Sequence, residues 1–259
     1  MSTPPPPIAA AVEANAQASQ PGLSEPQRII NTFIAPRKTF EDLKRNSSWW
    51  APWVFGAVFS LLFGVVAVQK LDMTNVVQKQ IEQSKMAQRQ MEQMSPEQRE
   101  QNIRVRASVT KVIFFLFPIF SLITVLIVGA VLMAVFNFGF AAEIPFGRAL
   151  AICFYSFLPA IVTALLMIVS LLVSSDLSGF NLSNPVATNL GFFMDPQGNK
   201  FLYAIASRID AIQLWICALL GLGFATCSAK KLSAGTAIGS VLAVYGLYTL
   251  VVAGLAAAF

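Results

Sequence analysis

The side chains in this sequence that could take part in catalysis or bind a metal are few. Its 259 residues include no histidine and three cysteines, Cys153, Cys217 and Cys227. Without histidine, the chain has neither the general base of a serine hydrolase nor a zinc site of the HExxH or zinc-finger type. The cysteines lie inside apolar stretches without the spacing of metal ligands, so we interpret them as small hydrophobic residues. The sequence therefore predicts no metal site.

Acid-based and phosphate-binding chemistry is also missing. A membrane-embedded aspartyl protease needs two aspartates at membrane depth, but Asp176, Asp195 and Asp210 lie at the ends of apolar segments. The GLGF sequence at Gly221–Phe224 has phenylalanine where a GxGD-type site has its acid. No GxxxxGK[S/T] or GxGxxG loop occurs. We therefore predict no catalytic residues, no cofactor, and a protein that is not an enzyme.

Long uncharged stretches dominate the sequence and decide the predicted fold class. They cover residues 46–69, 112–142, 149–175, 211–229 and 232–259, in a chain with 56% hydrophobic and 12% charged residues. A transmembrane helix needs about 20 apolar residues. We therefore predict an all-α, polytopic integral membrane protein with about five transmembrane helices. None of these stretches carries a charged residue at mid-membrane, which argues against a proton-coupled pump or transporter.

The chain divides into three predicted regions. Residues 1–27 are rich in Pro, Ala and Gln, have almost no large apolar side chains, and are predicted to be a disordered tail. Residues 28–48 are predicted to be a basic amphipathic segment at the membrane interface, with two short helices, the second beginning near Thr39. The remaining residues, 49–259, form the predicted membrane domain.

The basic segment and the start of the first span carry the predicted contacts with lipid headgroups. Its anchor side chains, among them Phe40 and Leu43, suit the acyl boundary of a membrane surface, with the cations of the segment, including Arg28, near phosphates. An ordinary solvated juxtamembrane segment is the alternative. The predicted headgroup-contacting residues are Arg37, Lys38, Lys44, Arg45, Trp49, Trp50 and Trp53. The net charge of +5 comes from short clusters beside spans, so membrane lipids are predicted partners and nucleic acid is not.

A charged, glutamine-rich segment, residues 70–111, separates the first two apolar stretches. It is predicted to be helical and water-facing, with a break at Ser95, whose Ser-Pro-Glu-Gln sequence is typical of a helix start. One helix is expected before the break, and a second is expected to continue into the next span. Because the apolar residues do not follow a heptad over three repeats, a hairpin packed on itself is favoured over a dimerising coil.

Prolines and glycines predict two kinks and a loop. Pro118 and Pro159 are predicted to kink the second and third spans. Residues 176–208 form an Asn- and Gly-rich loop, whose turn-forming residues cannot make a lipid-exposed helix. The loop is either interfacial, with Phe180, Phe192 and Phe193 dipping into the headgroups, or re-entrant and lining a cavity.

Small residues recur at four-residue spacing in the last apolar stretch. Gly235, Gly239 and Ala243 are predicted to form a helix-packing face, because small side chains let helix backbones approach closely. The face could serve packing within the chain, contact with a protein partner, or self-association through transmembrane helices.

Several short motifs follow one another along this pattern over roughly residues 28–255. They are Phe33-x-x-Pro36-x-x-Thr39-Phe40 with Leu43, Trp50-x-Pro52, Phe154-Tyr155-Ser156-x-x-Pro159, Asn189-Leu190-Gly191, and Ile209-Asp210 leading to Trp215 and Leu219-Leu220-Gly221-x-Gly223. Their order resembles the Yip1 domain family in its bacterial form. The resemblance implies five transmembrane helices and a cytoplasmic N-terminus, and eukaryotic members act in vesicle trafficking with prenylated Rab-type GTPases.

Charge counting alone does not orient the chain. With the N-terminus inside, eight cations lie on the inner side and ten on the outer side. The resemblance therefore decides the expected orientation, with a cytoplasmic N-terminus in the cytoplasmic (inner) membrane. The long charged insert at 70–111 departs from the simple family pattern.

The predicted function is that of a non-enzymatic membrane adaptor or organiser, with a trafficking-related role by resemblance. Its contacts are expected to run through the basic segment, the 70–111 hairpin and the small-residue face of the last span. The alternative is a small-solute or lipid transporter or channel, in which Pro118, Pro159 and the Asn-rich loop border a cavity. Such a transporter requires a polar pathway through the helix bundle.

Overall fold

The computed structural model describes residues 22–174, 177, 181–182, 184–196 and 198–258. The predicted tail up to residue 21, Asp176 and Phe180 lie outside these ranges. Within them the chain is helical, with a short 3-10 turn at Leu190–Phe193. The helices are α1 (Glu25–Ile34), α2 (Pro36–Leu43), α3 (Trp50–Lys70), α4 (Met73–Glu82), α5 (Lys85–Glu92), α6 (Pro96–Phe140), α7 (Phe146–Ser156), α8 (Ala160–Val173), α9 (Lys200–Ala206), α10 (Ala211–Cys227) and α11 (Ala234–Ala258).

The apolar helices confirm the predicted all-α membrane fold. Helices α3, α6 and α11, and α7 with α8 taken together over Phe146–Val173, are long and apolar enough to cross a membrane. Helix α10 is apolar but has 17 residues, which is shorter than a typical span. The predicted count of five spans therefore stays a prediction for α10. Large apolar side chains are exposed along α3, the middle of α6, α8 and α11, as expected for surfaces solvated by lipid.

Helices α1 and α2, with the two residues that follow them, form an N-terminal helical hairpin, defined here as residues 25–45. Helix α1 begins at Glu25, before the predicted segment start at residue 28, with a capping box between Ser24 and Gln27. The prediction that the second helix begins near Thr39 is wrong, because α2 begins at Pro36. Proline is favoured at the first helical position, where its missing N–H is not needed.

The water-facing segment after the first span confirms the break at Ser95 and corrects the number of helices. Ser95 caps α6 and forms a capping box with Gln98, as predicted. The expectation of one helix before the break is wrong, since α4 and α5 are separate helices and the Ser84 hydroxyl caps the second. Helix α4 packs on α6 through a buried apolar face that includes Met73, Val77 and Ile81.

The two predicted proline sites differ in the local structure they produce. Pro118 is buried inside a continuous α6, where the Ser121 hydroxyl donates to the Pro118 carbonyl at 2.8 Å. At Pro159 the helix stops, and a turn over residues 157–159 separates α7 from α8. Proline cannot donate to the Tyr155 carbonyl, which accepts instead from the Leu158 N–H at 3.2 Å.

Helix α7 is enclosed by protein from Ala149 onward. Residues 149–156 are all buried, because α6, α10 and both helices of the N-terminal hairpin pack against them. The first half of the predicted third span therefore contacts protein.

Glycines of α10, and not those of α11, provide the closest helix contact. A Cβ placed on Gly221 would lie 2.5 Å from Ile238 Cα, and one on Gly223 would lie 2.5 Å from Ile152 Cγ2. The predicted packing residues Gly235, Gly239 and Ala243 are exposed, and a Cβ on Gly239 would meet nothing within 4 Å. Helix α11 instead buries Ala237 and Val241 within the chain. Packing of the predicted face against another protein stays a prediction.

Candidate functional site: the docked hairpin and the apolar cavity

A buried ion pair holds the two helices of the N-terminal hairpin together. The Nε and Nη2 atoms of Arg28 each lie 2.6 Å from Asp42 Oδ2, and both side chains are at least nine-tenths buried. Asp42 Oδ1 accepts from the Leu23 N–H at 3.1 Å, and Arg28 Nη1 lies 3.2 Å from Glu25 Oε1. Burial is the largest single effect on Arg28 and lowers its pKa, but the hydrogen bonds and charge interactions with Asp42 and Tyr155 together outweigh it and raise the pKa of Arg28.

The same cluster joins the hairpin to the membrane domain. The Tyr155 hydroxyl of α7 donates to Glu25 Oε2 at 2.5 Å. Inside the hairpin, the hydroxyls of Thr32 and Thr39 both donate to the Arg28 carbonyl, at 2.8 and 3.0 Å. Since buried polar groups are stable only when paired, this network fixes one position of the hairpin on the bundle.

The apolar face of the hairpin lies in the protein core. Phe40 and Leu43 are fully buried, and the Cys227 thiol donates to the Phe40 carbonyl at 3.3 Å. The prediction that these two anchors enter the acyl boundary is therefore wrong, as is the placement of Arg28 near phosphates. An amphipathic pattern indicates only that one face of the helix is covered. In this protein α7 and α10 cover the apolar face of α2. Gly223 has no side chain and so leaves room for the Phe40 ring.

The cations that are predicted to contact lipid headgroups lie on the exposed side of the hairpin. Arg37, Lys38, Lys44 and Arg45 are all exposed. The backbone beside them is held in place, since Arg148 Nη2 donates to the Lys44 carbonyl at 3.2 Å. Contact of these four cations with lipid headgroups remains a prediction.

The three predicted interfacial tryptophans have different surroundings. Trp49 stacks on Phe154, with ring centroids 5.2 Å apart, and Trp50 is 57% exposed. Trp53 is partly buried, and its Nε1–H donates to the Pro118 carbonyl at 3.2 Å. Trp50 is thus the side chain of the three that is most available to lipid.

An apolar cavity of about 360 Å³ lies between α3, α6, α8 and α10, next to the two proline sites. Its floor is formed by buried side chains such as Val125 and Ile161, and its rim by exposed ones such as Phe117 and Phe120. The lining residues are uncharged: Pro52, Trp53, Gly56, Ala57, Phe59, Ser60, Phe117, Phe120, Ser121, Thr124, Val125, Phe154, Phe157, Ala160, Ile161, Ala164, Gln213 and Ile216. A volume of this size is typical of small-molecule sites.

The polar groups of the cavity are mostly occupied. The hydroxyls of Ser60, Ser121 and Thr124 each donate to a carbonyl of their own helix. The Gln213 amide makes only a long contact, from Nε2 to Cys217 Sγ at 4.0 Å. The cavity therefore presents an apolar surface with one amide at its edge.

The Asn- and Gly-rich loop is ordered by its own side chains in the described part. Asn184 and Asn189 exchange amide hydrogen bonds at 2.7 and 3.2 Å, and Asp210 caps α10 through the Gln213 N–H at 2.9 Å. Phe192 and Phe193 are exposed, in keeping with either predicted arrangement. None of the described loop residues lines the cavity, so the prediction that this loop borders it is wrong for that part of the chain.

The Glu25–Arg28–Asp42–Tyr155 cluster was not predicted from the sequence, and a cavity was predicted only in the transporter alternative, next to Pro118 and Pro159. Opposite charges on either side of Pro36 could have suggested a paired hairpin, whereas a gap between four helices has no sequence signature. Among the described residues, no group of three or more potential metal ligands comes together. All three cysteines are buried and unpaired.

Comparison with known proteins identifies one related domain. The family model of the Yip1 domain matches residues 30–254, which begin after Arg28 in the first helix and include α2, the cavity lining and most of the membrane domain. No protein of curated function and no solved structure matches the chain.

Proposed function

Since the chain belongs to the Yip1 domain family, we propose that this multi-pass membrane protein is a non-enzymatic adaptor or organiser of the membrane. The observation that carries the proposal is the docked N-terminal hairpin. Its buried ion pair and its Phe40 anchor hold a helical pair rigidly against the bundle. A preformed surface binds a partner at a lower entropic cost than a disordered segment does.

The proposed contact surface is the exposed side of the hairpin. It carries Arg37, Lys38, Lys44 and Arg45, with Glu41 as the exposed acidic residue among them. Such a surface favours anionic lipid headgroups and acidic protein surfaces. Helices α4 and α5, and the exposed Gly235–Gly239–Ala243 face of α11, are proposed as further contacts, the last through self-association.

The proposed location is the cytoplasmic (inner) membrane, with the N-terminus in the cytoplasm. In that orientation the hairpin meets cytoplasmic proteins, and α4 and α5 lie on the other side of the membrane. Reporter fusions after residue 45, within α5 and after residue 230 test this arrangement. A reporter that is active outside when fused after residue 45 contradicts it.

The adaptor proposal is tested by crosslinking and pull-down from intact membranes. The test variant is Arg37→Glu with Lys38→Glu, and the control is Lys230→Glu with Lys231→Glu, which changes the same charge outside the hairpin. We expect partners captured by the wild type and the control to be lost from the hairpin variant. Capture of no protein partner by the wild type, or equal capture by all three proteins, contradicts the proposal.

The cavity favours a second candidate function, transport of a lipid or small solute. Its uncharged lining excludes an ion path through it, since ions need polar or charged groups at membrane depth. Reconstituted liposomes test this alternative by lipid scrambling and solute flux. Rates equal to those of empty vesicles remove it.

A further inference from the structure

The mouth of the cavity opens toward the lipid-facing surface. The side chains at its rim, including Phe117, Phe120 and Thr124, are exposed along the middle of α6. This part of α6 belongs to a transmembrane helix, so hydrocarbon surrounds the mouth. An apolar void disfavours water, because a buried water needs two to four polar partners. Lipid hydrocarbon is therefore favoured over water both at the mouth and at the floor of the cavity.

The part of α3 that lines the cavity is about as long as one leaflet of a bilayer. Its lining on α3 runs from Pro52 to Ser60, which is about 12 Å of helix. One leaflet of hydrocarbon is about 15 Å thick. The cavity begins in the first turn of α3, beside Trp49 and Trp50, which suit the headgroup level. On α3, the lining thus extends from the interface toward the midplane.

Cations lie on the side of the membrane at which α3 begins. Lys44 and Arg45 are exposed, and residues 46–49 separate them from the start of α3 at Trp50. The guanidinium of Arg148 reaches the Lys44 backbone and adds positive charge on the same side. A lipid phosphate on this side of the membrane would lie near positive charge, while an acyl chain in the cavity would contact only uncharged side chains.

We propose that the cavity binds one acyl chain of an anionic phospholipid from the leaflet at which α3 begins. The acyl chain lies between α3, α6, α8 and α10, and the lipid headgroup lies near Lys44 and Arg45. This site goes beyond the adaptor function, which needs no bound lipid. It makes the phospholipid a structural component of the helix bundle.

The test fills the cavity without disturbing the backbone. Gly56 lines the cavity, and a Cβ placed on it would meet nothing within 4 Å, so Gly56→Leu occupies the space of the chain. The control is Gly246→Leu in α11, which also has open space and does not line the cavity. Both changes replace glycine by leucine in a helix interior and so raise helix propensity alike.

The first measurement is native mass spectrometry of the full-length protein in detergent, after supplying phosphatidylglycerol. We expect one tightly retained phosphatidylglycerol on the wild type and on Gly246→Leu, and at least about tenfold lower occupancy on Gly56→Leu. Equal retention by Gly56→Leu and the wild type overturns the proposal. Loss of the lipid from the wild type to detergent also overturns it.

A second measurement applies if Gly56→Leu does not fold. In a variant whose only tryptophan is Trp53, phosphatidylglycerol with brominated acyl chains is added at a low fraction of the detergent. We expect saturable quenching of Trp53, and we expect Ala160→Leu at the rim to weaken it. Quenching that rises linearly without saturation, or that Ala160→Leu leaves unchanged, contradicts the site.

Discussion

The hydroxyl of Tyr155 and the carboxylate of Glu25 are joined by a 2.5 Å hydrogen bond across 130 residues of sequence. Tyr155 is fully buried in α7, while Glu25 stands at the first turn of α1 and also contacts Arg28. One phenol thus connects the enclosed helix of the membrane domain to the ion pair of the N-terminal hairpin.

Tyr155→Phe tests this connection directly. The change removes the hydroxyl and keeps the ring, so packing in the core is preserved. We expect a loss of about 1–2 kcal/mol of stability, because a hydrogen bond to a charged group is removed. Limited proteolysis should then cleave the hairpin faster, while sites in α4 and α5 are unaffected. Tyr203→Phe, in the short helix α9, is the control, and an equal effect there would contradict the prediction.

Asp42→Asn breaks the buried ion pair of the hairpin. Arg28 would stay charged while the Asp42 carboxylate is replaced by a neutral amide. Removing one partner of a buried ion pair costs about 3–5 kcal/mol of stability. Thermal unfolding in detergent, followed by circular dichroism, measures the loss. Glu41→Gln is the control, because Glu41 is the neighbouring acid on the exposed side. A double change, Arg28→Met with Asp42→Leu, should recover part of the stability lost in the single variant.

Gly221→Ala tests the contact between α10 and α11. A methyl group there would lie 2.5 Å from Ile238 Cα, and a backbone atom cannot rotate away, so the helices must separate. We expect a loss of at least about 1–3 kcal/mol, typical of an overpacked contact. Gly239→Ala on α11 has open space and should be neutral or slightly stabilising. Equal thermal midpoints for the two variants would contradict a close contact between Gly221 and Ile238.

Gly239→Leu tests self-association through the exposed face of α11. If this face joins two copies, a leucine there blocks the close approach of helices. We expect crosslinked dimers in native membranes to fall several-fold, with thermal stability of the protomer unchanged. The control is Gly139→Leu at the end of α6, which also has open space. Dimers that persist in Gly239→Leu exclude this face as the contact.

The first turn of α4 should depend on pH through Asp72. Hydrogen bonds from the Thr74 hydroxyl and the Thr74 backbone N–H lower the pKa of Asp72. A lowered folded-state pKa means that the stabilisation is fully present above the unfolded value of about 3.9 and is lost as pH falls through the lower folded value. Carboxyl-carbon NMR of Asp-labelled protein measures the titration, and Asp72→Asn assigns the signal. A midpoint at or above 3.9 would contradict the prediction.

The parts of the fold that could be predicted from sequence are those set by local pattern. Ser95 begins α6 because its own side chain and that of Gln98 satisfy the first N–H groups of the helix. The separation of α7 from α8 follows from Pro159, which has no N–H to continue the helix. The start of α5 could also have been predicted from the sequence, since Ser84 is a favourable N-cap.

The parts that could not be predicted depend on which surfaces meet. Phe40 and Leu43 have the spacing of an amphipathic helix, and that spacing is the same whether lipid or protein covers the face. Gly221 and Gly239 both offer a small surface, but only the first meets a neighbouring backbone in this chain. The cavity results from the relative positions of four helices, so no single segment encodes it.

The bond between the Cys227 thiol and the Phe40 carbonyl sets an order of events during biosynthesis. These two residues are separated by 187 positions. At roughly 5–20 residues per second, a ribosome needs roughly 10–40 s to make the partner surface after the hairpin has emerged. Until α10 is inserted, the aromatic face of the nascent hairpin around Phe40 therefore needs cover from lipid or a chaperone.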